Sequence, residues 1–220
     1  MWLTLVAIAC ARESTTGNAA LDFGALDSAM RWIEEAAGPY PPHFSTLHPE
    51  PVVRFRLDSL IGVLASHIAL EPTRPDLEWR LGNLYRMAHN LDVPLAWDNA
   101  RAHLVRALAL DSTSTMAHLY LGGLYVATDT IYYTAADSHF HDVLESPIDS
   151  LALSFDAPYF AELGLMLTAL HRKDVPQLLA AGRRALVHHP ENTELERTLD
   201  ELESDPMRTK LNTMIIPGPE

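Results

Sequence analysis

The sequence predicts an all-α fold, a helical-hairpin repeat array, and three observations carry that prediction. The run Leu-Gly-x-x-Tyr occurs twice on a helical pattern, as Leu81-Gly82-Asn83-Leu84-Tyr85 and Leu121-Gly122-Gly123-Leu124-Tyr125. A weaker third copy, Leu163-Gly164-Leu165-Met166-Leu167, keeps the Leu-Gly. From Val52 onward the apolar residues recur with helical spacing, and strand-like composition is confined to Thr130-Ile131-Tyr132-Tyr133-Thr134. Repetition at a near-fixed period sets the fold ahead of any single residue, because each repeat buries its apolar face only against its neighbours.

The 220 residues are 48% hydrophobic, enough for a continuous core. The formal net charge is -13, which repels phosphate backbones, so no nucleic-acid partner is expected. The single cysteine, Cys10, leaves no intramolecular disulfide and no cysteine-based zinc site.

Taken in order, residues 1–20 read as a hydrophobic segment and a polar tether. Trp2 to Ala9 are apolar or small, Cys10 ends the run, and Ser14-Thr15-Thr16-Gly17-Asn18 follow. This resembles a bacterial lipoprotein signal, which implies cleavage before Cys10 and its lipidation. No Lys or Arg precedes the run, unlike the usual signal. Two other readings stay open: a frayed apolar N-terminus of a cytoplasmic protein, and an uncleaved half-membrane anchor. Residues 21–51 form an N-terminal helix over 21–37, stopped by Gly38-Pro39, and a proline-rich connector running to Pro51.

The repeat domain spans 52–203. Helices are expected over 52–70, 75–89, 95–110, 115–127, 132–145, 158–171, 174–188 and 193–203. The breaks fall at Glu71-Pro72, Asn90 to Pro94, Asp111 to Ser114, Thr128 to Thr130, Ser146-Pro147 with a link over 148–156, and Pro190 to Asn192. Residues 204–220 are an extended tail carrying the apolar cluster Met214-Ile215-Ile216 before Pro217-Gly218-Pro219.

These helix pairs resemble tetratricopeptide repeats (TPR). The first helix of each pair carries Leu-Gly-x-x-Tyr, and the second carries Ala100, Leu104 and Ala107-Leu108, then Ala136, Phe140 and Val143-Leu144. Ala185-Leu186 with Pro190, and His67-Ile68 with Pro72, match the ends of two further pairs. The resemblance covers roughly residues 55–203 and implies a TPR-like right-handed superhelix of about three irregular repeats plus terminal helices. Leu81 to Leu121 is 40 residues and Leu121 to Leu163 is 42, against a family period of about 34, and the extra residues fall at turns.

Such arrays hold a peptide or protein on the inner face of each first helix. By register that face offers Trp79, Asn83, Arg86 and Met87, then Met116, Leu119 and Val126, then Leu165. Met214, Ile215 and Ile216 add a candidate docking arm. Two occupants of the groove are open: a protein partner, or the chain's own connector or tail. No catalytic motif, phosphate loop or dinucleotide fingerprint occurs, so neither an enzyme nor a cofactor is expected. The eleven histidines yield no metal site at the level of sequence. His139 and His141 stand two apart on a helix and point to different faces, and His188 has no carboxylate at a supporting spacing. Glu194, Glu196, Asp200, Glu201 and Glu203 read as the solvated face of a capping helix.

The function expected is therefore a non-enzymatic protein-binding scaffold or accessory subunit. It is tethered on the periplasmic side of the bacterial cytoplasmic membrane, in an envelope or bioenergetic complex with other membrane-complex subunits. The alternative is a small-molecule-binding protein or enzyme with its pocket in the concave face, where Trp79, Asn83 and Arg86 supply the polar groups.

Overall fold

A computed structural model describes residues 21–147 and 150–204. Cys10, Met214, Ile215 and Ile216 lie outside the described residues. Among the described residues the fold is all-α, with ten α-helices, one 3-10 turn and no strand: α1 (Phe23–Ala37), α2 (Glu50–Leu70), α3 (Pro75–Asn90), α4 (Ala96–Leu110), α5 (Thr115–Val126), the 3-10 turn Thr130–Tyr132, α6 (Tyr133–Glu145), α7 (Ser150–Ser154), α8 (Ala157–Arg172), α9 (Val175–His188) and α10 (Thr193–Ser204). The helix ends fall within two residues of those expected from sequence. The link after Pro147 is the exception, because it contains the short helix α7. The β-like run at Thr130 becomes a 3-10 turn because the Asp129 carboxylate caps it, accepting from the Ile131 amide. No helix among the described residues is long and apolar enough to cross a membrane.

The chain groups into two compact units that divide α3 and α4 between them. In the first, α1 starts where Asp22 accepts from the Ala25 amide at 3.1 Å. It buries Leu26, Met30, Ile33 and Ala37, spaced to share one face, and packs on α2. The partner face of α2 is Val53, Leu57, Leu60 and Leu64. The part of α3 from Arg80 to Asn90 belongs to this unit and meets α1 through polar contacts as well as apolar ones. Arg80 forks onto the Asp27 carboxylate at 2.7 and 2.8 Å, and both residues are buried. Arg86 reaches Glu34 at 2.6 Å, and the Asn90 amide donates to the Ala37 and Gly38 carbonyls that α1 leaves open at its end.

In the second unit, α5 packs on α6, α6 on α8, α5 on α8, α8 on α9 and α9 on α10. Helix α5 is buried on nearly every side, which matches its near-uniformly apolar sequence. The close packing is fixed by glycines. A Cβ on Gly122 of α5 would stand 2.8 Å from the Phe140 ring of α6, and one on Gly164 of α8 would stand 2.2 Å from the same ring. Phe140 is thus held between two glycines of two successive helix pairs. Gly182 of α9 makes room in the same way for Leu199 of α10. Phe140 therefore serves both neighbouring helix pairs at once.

Candidate functional site

The residues expected on an open inner face are enclosed instead. Trp79, Asn83, Met87, Met116, Leu119, Val126 and Leu165 are all buried, the three aliphatic residues Leu119, Val126 and Leu165 each at 7% exposure. Arg86 is half-buried. The expectation that these side chains present an exposed apolar surface is therefore corrected, and the reason is that the chain supplies its own cover. On α3, Arg86 donates to Asn83 Oδ1, the Gly38 carbonyl and Glu34, so α1 occupies the polar groups expected to meet a peptide. Trp79 stacks on Tyr120 with ring centroids 5.9 Å apart and meets the edge of Phe155, from the link before α8, at 6.2 Å. Of the two occupants weighed from sequence, the chain's own segments cover Trp79, Asn83 and Arg86. Among the described residues the covering segments are α1, for Asn83 and Arg86, and the 150–156 link, for Trp79.

Burial raises the Glu34 carboxyl above its ordinary range, against the lowering pull of Arg86 and the Asn83 amide. In the second unit each helix pair carries a polar group locked across its interface. Glu78 of α3, buried, meets His103 at 2.7 Å and Arg106 at 2.9 Å, both from α4. Glu162 of α8, also buried, meets Arg184 of α9 at 2.7 Å. Asp137 of α6 accepts from Thr168 and Arg172 of α8.

Between these lies a group that sequence reading missed. His118 of α5 approaches His139 of α6, Nδ1 to Nδ1, at 2.9 Å, and Asp142 Oδ2 stands 3.3 Å from His118 Nδ1 and 4.0 Å from His139 Nδ1. The three donor atoms lie within 4.8 Å of one another. Desolvation, then the neighbouring His118, holds the His139 imidazole below the ordinary histidine range, while Asp142 pulls it up. His141 is exposed and takes no part. The signal available in the sequence was register. His118 precedes Gly122 by four residues as Glu78 precedes Gly82, and His139 and Asp142 precede Val143 as His103 and Arg106 precede Ala107. Local spacing tests only neighbours on one helix, whereas this group is made across two.

The described residues thus define an all-α protein of repeat-like helix pairs with polar clusters at the pair interfaces. No protein-family model, no curated protein and no solved structure matches this chain.

Proposed function

We propose that this chain is a non-enzymatic protein-binding scaffold or accessory subunit, built of TPR-like helical hairpins. In this reading Cys10 tethers it to the periplasmic side of the bacterial cytoplasmic membrane, within a larger envelope or bioenergetic complex. The observation that carries the reading is Phe140, shared between Gly122 of its own pair and Gly164 of the next. A side chain that serves two successive pairs is what stacking repeats require, and stacked repeats commonly serve as binding surfaces. The enclosure of Trp79, Asn83 and Arg86 by the chain itself removes the polar groups that favoured a small-molecule pocket.

The partner surface is assigned to the exposed apolar side chains of the connector and the start of α2. Tyr40, Phe44, Leu47, Val52 and Phe55 fall within 16 residues, and Tyr40, Leu47 and Phe55 are 73, 78 and 61% exposed. Single exposed apolar residues are ordinary on a monomer, but five in so short a stretch are not. The test is recovery of partners from detergent-solubilised membranes with the full chain as bait. Leu47→Glu with Phe55→Glu is expected to lower partner recovery about 30-fold, the loss of an apolar anchor, with the helical circular dichroism unchanged. Cys10→Ser is expected to move the protein from the membrane to the soluble fraction. Undiminished recovery with the Glu variants contradicts the surface, and unchanged membrane retention of Cys10→Ser contradicts the tether.

A further inference from the structure

We infer that His118, His139 and Asp142 form a binding site for a divalent transition-metal ion, with zinc the best fit. The inference starts from where the protons must be. His118 Nε2 lies 3.1 Å from the Ser112 carbonyl, which only accepts, so the His118 proton sits on Nε2. Its Nδ1 then carries a lone pair, aimed at His139 Nδ1 and Asp142 Oδ2. Three acceptor atoms on two helices converge on one point, and at most one proton, on His139 Nδ1, lies among them in the neutral state. The hydrogen bond from Nε2 to a backbone carbonyl is the arrangement that orients metal-ligating imidazoles and fixes their tautomer.

The preceding helix pair shows how the same register is satisfied without a metal. Glu78, His103 and Arg106 occupy positions that correspond to His118, His139 and Asp142. There the guanidinium of Arg106 supplies the positive charge. In the pair of α5 and α6 the cation is replaced by a carboxylate and the carboxylate by an imidazole. Among the described residues the only ion-pair partners of Asp142 are the two histidines, with no Lys or Arg. A divalent ion supplies the charge that Arg106 supplies next door.

The geometry suits a small ion. Ligand atoms about 2.0–2.1 Å from a tetrahedral centre stand about 3.3–3.4 Å apart, and the three edges here are 2.9, 3.3 and 4.0 Å. Two imidazoles and one carboxylate are borderline donors, suited to zinc, cobalt, nickel or copper rather than to calcium or magnesium, and three protein ligands leave one position for water. The site is distinct from the proposed partner surface and does not depend on it.

The experiment is a titration of the metal-free full-length protein with Zn2+ against a chromophoric chelator, and with Co2+ followed by its visible absorption. One equivalent is expected to bind, with the intense Co2+ bands of a low-coordinate nitrogen–oxygen site. His118→Gln and Asp142→Asn are each expected to weaken Zn2+ binding by more than about 100-fold, a larger loss than removal of an outer partner causes. His141→Gln, on the same helix but facing away, is expected to bind as the wild type does. Asp142 is half-exposed, so Asp142→Asn keeps the fold, which circular dichroism checks. The site is overturned if the wild-type chain binds no Zn2+, or if Asp142→Asn and His141→Gln bind it alike.

Discussion

At the scale of single residues, two histidines are set apart by their surroundings. His189 donates to Asp156 and Glu191 and rests against the Tyr159 ring at 4.3 Å; the bonds to the two carboxylates, Asp156 first, raise it above the ordinary histidine range. His139, desolvated and beside His118, is lowered. In the metal-free protein, histidine NMR is expected to show His189 protonating first as pH falls and His139 protonating only below the usual range. The stability consequences have opposite signs. The His189 contribution is fully present below the unfolded value and is lost as pH rises through its raised folded value. The His139 contribution is present above the unfolded value and is lost as pH falls through its lowered folded value. The same titration midpoint for both residues would contradict these environments. Neither environment was legible in the sequence. Glu191 and Asp142 are local neighbours, but His118 and His139 are 21 residues apart and His189 and Asp156 are 33 apart, so the leading partner of each histidine is brought in by folding.

At the scale of elements, the helices themselves were legible and their partners were not. Caps and breakers such as Asp22, Ser114, Asp174 and Asn192 sit where local chemistry puts them, because each bonds an amide three residues on. The role of α1 was different. Its apolar face is readable, but its docking depends on Asp27 and Glu34 meeting Arg80 and Arg86, and charges one helix turn or two apart look like solvated surface until a partner is known. Because Asp27 and Arg80 are both buried, removing one partner strands the other in a low-dielectric setting. Asp27→Ala is expected to cost about 3–5 kcal/mol in denaturant unfolding, whereas replacing Asp27 and Arg80 together by apolar residues of similar size is expected to cost far less. A single substitution as mild as the double one would show that the pair is not buried in solution.

At the scale of the whole molecule, nine of the ten helices among the described residues were expected from the sequence pattern, while the residue that locks successive pairs was found only in three dimensions. The Leu-Gly steps at Gly122 and Gly164 are visible in the sequence, but that both glycines face the one ring of Phe140 is a property of packing. The same packing explains why Leu119, Val126 and Leu165 are core rather than groove: α5, α6 and α8 are drawn close enough to enclose these three side chains. The central claim is therefore that Phe140 joins one helix pair to the next, and a double-mutant cycle between Gly164→Ala and Phe140→Leu tests it most directly. Gly164→Ala alone is expected to overpack the ring and cost about 1–3 kcal/mol. With Phe140 already reduced to Leu, the added methyl is expected to cost little, giving a coupling of about 1 kcal/mol or more. Gly123→Ala, whose Cβ meets nothing within 4 Å, is the internal control and is expected to be neutral or to stabilise by up to about 1 kcal/mol. If instead Gly164→Ala is as harmless as Gly123→Ala, or adds independently to Phe140→Leu, the two helix pairs do not share that ring.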